Sequence, residues 1–381
     1  MQPTYYEFFA GGGMARAGLG EGWRCLFAND FDPRKGRSYV ENWGGAEFKL
    51  GDIHKLNAAD LPGRADLAWA SFPCQDLSLA GNGAGLEGER SGAFWGFDLL
   101  MRGLRRDHRA PNILVIENVV GAITSNRGRD FDVLCRSLFE LGYVFGALTI
   151  DAAHFVPQSR PRLFIVAVRK DVPIARSLVA EDPDSAWASA ALCKAQAALR
   201  PDLRKAWRWW RLPPPPKRNL GFDQLIDECD DVTWHSPAET ERLIAMMSEV
   251  NRAKLQTAID KGGRLFGTVY RRTRLDAHGE KVQRAEIRFD GVAGCLRTPE
   301  GGSSRQTVVM VEQGRVRSRL MTAREAARLM GVAEGYKLPA RYNEAYHLLG
   351  DGVAVPVVRF LAENLLSRCI DGAKGVRSAA A

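Results

Sequence analysis

The sequence predicts an α/β protein, built on a mostly parallel sheet covered by helices and followed by a second, smaller domain. The first observation is rhythm: from Thr4 to about Val168, short apolar runs alternate with glycine-rich turns and helical patterns, as βα units do. The second is a break in that rhythm after Asp171, where Arg and Trp become frequent and the run Pro213 to Pro216 interrupts the chain. The third is size, since 381 residues with 45% apolar and 26% charged side chains suffice for about two well-packed domains.

Taken in order, strands are read at Tyr5 to Phe9, Arg24 to Asn29, a short third one before Asp52, Leu67 to Ser71, Ile113 to Glu117, Tyr143 to Asp151 and Leu163 to Arg169. Trp207, Trp209 and Trp210 beside the prolines read as an aromatic packing patch on a stiff linker, ahead of a stacking platform for nucleic acid. Thr322 to Met330 reads as a helix, with Thr322 and Glu325 spaced as a capping box. Tyr346 to Leu366 contains a Gly-Asp-Gly turn and an amphipathic run from Val355. The expected organisation is therefore a first domain over 1–170, a second over 171–318, and a return to the first over 319–370. There is no internal repeat.

Composition narrows the function classes. The formal net charge is +8, and residues 200–320 hold 23 basic against 16 acidic side chains, so the surplus sits almost wholly there and permits a polyanionic partner. The seven cysteines are odd in number, scattered and never spaced as CxxC, which argues against a disulfide framework or a zinc site. No basic segment precedes an apolar one at the N-terminus, and the longest apolar run, Ile113 to Ile123, is too short to span a bilayer and contains Glu117 and Asn118. A cytoplasmic protein without membrane contact is expected.

The chemistry concentrates in two places. Tyr5-Tyr6-Glu7-Phe8-Phe9-Ala10-Gly11-Gly12-Gly13 is a strand emptying into a glycine-rich turn that opens a helix, where a ligand can approach the backbone closely. Asp30 follows the second strand, placed for ribose hydroxyls, and Asp52 follows the third, placed for an adenine amine. Both NAD and S-adenosylmethionine (SAM) satisfy that pattern, although the full GxGxxG spacing for a pyrophosphate is missing. The second place is Ser71-Phe72-Pro73-Cys74-Gln75 at the end of the fourth strand, with Ile116-Glu117-Asn118-Val119 at the end of the next. A thiolate nucleophile beside a carboxyl that keeps its proton suits attack on an electron-poor heterocycle. A small buried cysteine would be the plainer role for Cys74 taken singly.

Phe9-Ala10-Gly11, Pro73-Cys74-Gln75, Glu117-Asn118-Val119 and Gln158-Ser159-Arg160-Pro161-Arg162 occur in the order and at the spacing of the DNA cytosine-5 methyltransferases. Arg319-Leu320-Met321-Thr322, Glu325 to Gly331 and Gly350-Asp351-Gly352-Val353 continue the pattern. The chain resembles that family over roughly 1–170 and 285–366. The resemblance implies a Rossmann-like SAM-dependent methyltransferase domain with a smaller inserted target-recognition domain. It implies that Cys74 adds to cytosine C6 while Glu117 holds the base edge, with Pro73 and Gln75 around the nucleophile and Arg160 and Arg162 as the paired arginines, one of which bonds the base. Arg160 could instead pair with a phosphate or carboxylate. The glycine-rich stretch Gln75 to Trp95 resembles a closing catalytic loop with Ser78 on a phosphate.

For the cofactor, SAM, the resemblance implies Phe9, Ala10, Gly11 and Gly13 in the turn, Asp30 and Phe31, Asp52 and Ile53, and Asp351 and Val353 from the C-terminal part. Two positions depart from the family: Asp351 stands where Asn is usual and adds a negative charge, and Cys295 stands where a Thr commonly contacts the DNA backbone. The implied partner is double-stranded DNA, met by Arg264, Arg271, Arg272, Arg274, Cys295, Arg297, Ser303, Ser304 and Arg305. A bacterial or phage restriction-modification setting fits the length, such a setting implies a cognate restriction endonuclease, and a monomeric enzyme is the default expectation. The transfer-RNA branch of the family shares these motifs, but its Cys-Phe-Thr signature is absent; a non-catalytic regulator would have lost Cys74 or Glu117, and both are present.

Overall fold

The computed structural model describes residues 2–73, 92–227, 232–275, 279–298 and 305–371. They gather into two units, one of Met1–Asp151, Pro161–Pro215 and the chain from Val357 onward, the other of Ala152–Arg160 and Pro216–Pro356.

The first unit is organised by β1 (Thr4–Phe8), α1 (Met14–Leu19), β2 (Arg24–Asp30), α2 (Pro33–Trp43), β3 (Phe48–Leu50), β4 (Leu67–Ala70), α3 (Ala93–Arg106), β5 (Ile113–Val119), α4 (Arg129–Glu140), β6 (Tyr143–Asp151) and β7 (Pro161–Arg169). These strands form a seven-stranded sheet in the order β3-β2-β1-β4-β5-β7-β6. Neighbours pair in parallel from β3 through β5, while β7 runs antiparallel to both β5 and β6. Every residue of β4 is buried, which explains why Leu67 to Ala70 is continuously apolar rather than alternating: a central strand of such a sheet is covered on both faces. The core beneath runs through Phe8, Phe72, Phe94, Phe97, Leu134 and Ile165.

The unit boundaries differ from the expected segments. Residues 171–215, which the loss of βα rhythm placed in the second domain, pack on the first unit through α5 (Ala190–Ala198), α6 (Pro201–Ala206) and the tryptophans that follow. Trp207 is buried with its ring 5.9 Å from Phe145 and 6.1 Å from Phe131, and Trp210 is buried as well. The chain passes so close to β6 that a Cβ on Gly146 would lie 1.8 Å from the Arg208 carbonyl oxygen, so only glycine fits there. The tryptophans are packing residues. Two short strands, β8 (Val179–Ala180) before α5 and β9 (Trp209–Trp210) after α6, pair with each other.

The second unit contains α7 (Pro237–Ala245), α8 (Glu249–Lys261), β10 (Arg264–Leu275), β11 (Lys281–Arg288), β12 (Thr307–Glu312), β13 (Arg315–Leu320), α9 (Ala323–Leu329) and α10 (Tyr342–Asp351). Its antiparallel sheet has the order β11-β10-β12-β13, and Leu243, Met247, Leu255 and Ala258 of the helical segments cover Val269, Ala285, Ile287 and Val309. The capping box expected at Thr322 is present: Thr322 Oγ1 accepts from Glu325 N at 3.1 Å and Glu325 Oε2 accepts from Thr322 N at 2.8 Å. Glu325 also takes both terminal nitrogens of Arg319 at 2.5 and 2.8 Å, with each side chain 1% exposed. Residues 319–356 thus cluster with the second unit, not the first as expected. Gly350 and Asp351 end α10 rather than forming a turn, and Gly352 caps it by donating to Leu349 O.

Candidate active site

In the first unit the chain travels from β1 outward to β3, then returns to place β4 on the other side of β1. The point where strand order reverses leaves a crevice beyond the strand ends, the usual ligand site of open α/β sheets. The ends that meet there are Phe9-Ala10-Gly11 and Ser71-Phe72-Pro73. Phe9 and Gly11 both adopt positive φ, 58° and 55°, and the space beyond the Gly11 α-carbon is open. Gly13, at φ 75°, has the opposite reason for lacking a side chain: a Cβ would fall 2.3 Å from Trp43 Nε1, which donates to Gly12 O at 2.9 Å.

Asp30, 4% exposed, anchors this turn to the end of β2 by accepting from Gly11 N at 2.8 Å and Asp32 N at 2.9 Å. Burial pushes its carboxyl up, and the two backbone N–H groups and Lys35 partly offset that. Phe31 beside it is 65% exposed, an unusual position for an aromatic ring unless something covers it. Asp52 is exposed and caps the next turn by accepting from His54 N at 3.0 Å, while Ile53 is buried in the core. Ala10 is buried and donates to Asn29 O at 2.9 Å. Open backbone at Gly11, carboxylates at the ends of β2 and β3 and an uncovered ring suit an adenosine-bearing ligand such as SAM.

The next strand end supplies the second half of the site. Val119 of β5 faces Arg162 of β7, so Glu117, two residues back, lies diagonal to Arg162 on the same face of the sheet. Arg162 Nε is 3.2 Å from Glu117 Oε1, both side chains largely withdrawn from solvent. The intervening residue turns the other way: Asn118, buried, donates from Nδ2 to Phe72 O at 3.1 Å and so ties β5 to the turn that carries Pro73. Cys74, Gln75 and Ser78 lie outside the described residues, as does most of the expected loop from Gln75 to Trp95. Pro73 is exposed at its root.

The other candidates belong to the second unit. Arg160, expected to reach the base or to pair with a phosphate or carboxylate, is 1% exposed and donates to the carbonyls of Leu296, Gly350 and Gly352 at 2.9, 2.7 and 2.6 Å. Its side chain turns inward because two chain segments meet there with three carbonyls that need a donor. Cys295 Sγ lies 3.3 Å from Arg160 Nη1 and 3.3 Å from Leu296 O, and Arg297 is exposed. Asp351 accepts from Thr298 Oγ1, and Val353 is buried. Arg264 lies 3.5 Å from Glu312, Arg271 is exposed, and Arg305 donates to Asn343 with its guanidinium over the Tyr342 ring. Ser303 and Ser304 lie outside the described residues.

A family model described as C-5 cytosine-specific DNA methylase matches residues 4–367. The chain belongs to that family. Similar curated proteins include the type II methyltransferase M.HhaI of Haemophilus parahaemolyticus, 24% identical over 95% of this chain and 93% of its own, and M.DsaV of Dactylococcopsis salina, 28% identical over 96% and 86%. Among solved structures, the Dnmt2 methyltransferase of S. pombe shares the fold, with a TM-score of 0.61 at 17% identity over 97% of this chain and 99% of that one. The methylase is thus a SAM-dependent DNA cytosine-5 methyltransferase, and no described helix is long and apolar enough to cross a membrane.

One residue of the methylase was not singled out from its sequence. Glu7, in the middle of β1, is 1% exposed, and its Oε2 has no hydrogen-bond partner among the described residues. Burial, opposed by the nearby Arg16, pushes its carboxyl up to about 8. Arg16 meanwhile donates to Tyr39 Oη at 2.9 Å and pairs with Glu47, so this polar group lies beneath the glycine turn. The signal was legible in principle: a Glu in the run Tyr5 to Phe9 breaks an otherwise apolar strand that is buried on both faces.

Proposed function

We propose that the methylase modifies cytosine within one short duplex sequence, at the crevice beyond β4 and β5, with Cys74 as nucleophile. The observation that carries this reading is the Glu117–Arg162 pair, held at the end of β5 next to the turn that leads to residue 74. The target base sits inside a duplex stack, so it must be flipped out to reach side chains at strand ends. The Cys74 thiolate adds to C6, and Glu117 binds the N3 and amino edge and gives N3 a proton, which makes C5 enamine-like. SAM supplies the methyl group that C5 takes, leaving S-adenosylhomocysteine. Loss of the C5 proton then lets the Cys74 sulfur leave by elimination as N3 returns its proton to Glu117, yielding 5-methylcytosine. Arg162 orients the Glu117 carboxyl and has guanidinium donors left for the base.

On the cofactor side, Phe9, Ala10, Gly11 and Gly13 shape the turn for SAM, Asp30 faces the ribose, Phe31 and Ile53 flank the adenine and Asp52 accepts from its amine. Asp351 and Val353 serve the methionine end. The Arg160 clamp positions the Cys295–Arg297 segment, whose residues, with Arg264, Arg271, Arg272, Arg274, Ser303, Ser304 and Arg305, meet DNA. The middle segment acts as the target-recognition domain. The enzyme acts as a nucleoid-associated monomer partnered by a cognate restriction endonuclease, and the type II names of its relatives support the endonuclease partner.

Bisulfite sequencing of plasmid DNA from cells expressing the methylase tests this reading beside a Cys74→Ser control. Protection of cytosines in one short motif is expected with the intact protein and none with the variant. No protection from a protein that still binds SAM would overturn it and turn attention to transfer RNA.

A further inference from the structure

Beyond Val269 the strand β10 leaves β12 behind. Arg264 to Val269 pair with β12, whereas Tyr270 to Leu275 pair with β11 across Glu286 to Lys281. The hairpin thus continues as a two-stranded ribbon of six residue pairs, about 20 Å long at roughly 3.4 Å per residue. A ribbon of that kind fits a DNA major groove, which is about 12 Å wide.

The two faces of the ribbon differ. Val269, Ala285 and Ile287 are buried under α7 and α8, so alternation turns Tyr270, Arg272, Arg274, Arg284 and Glu286 to the opposite side. On that side Glu286 collects donors. Its Oε2 accepts from Tyr270 Oη at 2.6 Å, and its Oε1 accepts from Arg274 Nη2 at 2.6 Å and Nε at 3.2 Å. Arg272 Nε stands 3.7 Å from Oε2, and its guanidinium lies over the Tyr270 ring, 4.5 Å from the centroid.

Isolated surface ion pairs contribute little, but here one carboxylate, one phenol and two guanidinium planes hold each other in place while half of the Arg274 side chain stays in solvent. Tyr270 also abuts the segment of Cys295 and Arg297, since a Cβ on Gly294 would touch its ring at 3.4 Å.

We infer that this face is the base-reading surface of the methylase. Arg274 and Arg272 present bidentate donors to guanine O6 and N7, and Glu286, released from Arg274, accepts from a cytosine amino group, so the recognition sequence contains G·C pairs read by this ribbon. The inference rests on the proposed reading that the second unit meets duplex DNA. It adds which side chains choose the sequence.

The test uses the full-length protein and its Arg274→Ala and Glu286→Gln variants on a plasmid library with randomised inserts, scored by bisulfite sequencing with SAM added, alongside binding at several salt concentrations. Both substitutions sit on an exposed face, and Glu286→Gln preserves shape, so thermal unfolding should match the parent. Each variant is expected to lose about tenfold or more of its discrimination at one G·C position while the others stay fixed. An unchanged motif, or an even loss across all sequences with a shallower salt slope, would show that the ribbon meets only phosphates and overturn the inference. A parent protein that modifies no library member while binding SAM would instead remove the DNA reading itself, and this inference with it.

Discussion

Two of the Glu–Arg pairs on antiparallel strands of the methylase differ in their surroundings. Glu117 and Arg162 lie at the end of a sheet whose neighbours are buried on both faces, and solvent reaches little of either side chain. Glu286 and Arg274 lie on the open face of a ribbon, with half of the arginine side chain exposed. A pair in the first setting is costly to open, so it keeps a fixed geometry, which suits holding the edge of a base in one place. A pair in the second is nearly neutral in energy and can exchange its partner for a base edge at little cost. On the proposed reading, burial separates the pair that serves chemistry from the pair that reads bases.

The largest expected effect lies in the buried pair. Glu117→Gln should lower methyl transfer by about a hundred- to ten-thousandfold, the range for loss of a general acid, and lower the thermal midpoint as well, because Arg162 loses its charge partner. Labelled-methyl incorporation into DNA and a calorimetric scan measure the two together. A variant with ordinary turnover would place the proton donor elsewhere.

Arg160 and Arg162 sharpen the same contrast, because they are two residues apart and do different things. Arg160→Met strands the carbonyls of Leu296, Gly350 and Gly352, and should cost about 3 kcal/mol in chemical denaturation. Arg162→Lys should cost under about 1 kcal/mol and act mainly on turnover. Equal effects on stability would erase the distinction.

How much of this could be read from sequence follows the same divide. The placement of Glu117, Asp30 and the glycine turn at strand ends was legible because sheet geometry fixes those ends, and short motifs of fixed spacing mark them. The inward turn of Arg160 was not, since its partners are backbone carbonyls more than 130 residues away in the chain. Residues 171–215 were assigned to the wrong unit because the packing of Trp207 on Phe145 leaves no periodic trace. The ribbon arginines were candidates by charge, yet nothing local says that Glu286 gathers Arg272 and Arg274 and that Arg271 faces away from them.

Glu7 gives a smaller, pH-dependent effect. Below the usual carboxylate range it is protonated in both folded and unfolded chains; as pH rises, the unfolded chain ionises first while the folded one keeps its proton to about 8. Stability should therefore fall between about pH 4.5 and about 8 and level off above, by on the order of a few kcal/mol. Glu7→Gln should flatten that slope in urea midpoints taken from pH 5 to 9. A slope unchanged by the substitution would assign it to other groups.

The smallest effects belong to the glycine turn. Gly11→Ala meets open space and pays mainly for its positive φ, about 1 kcal/mol, whereas Gly13→Ala must also displace Trp43. SAM titration calorimetry should show affinity falling more for Gly11→Ala than its stability does, since the open space beyond that residue is where the ligand is expected.

The most direct measurement is the identity of the modified nucleoside: plasmid DNA incubated with purified methylase and SAM, digested and resolved by mass spectrometry, beside Glu117→Gln. The expected product is 5-methyl-2′-deoxycytidine, falling at least a hundredfold in the variant. A different methylated nucleoside, or a yield that Glu117→Gln leaves unchanged, would contradict the assignment of the chemistry to the crevice beyond β4 and β5.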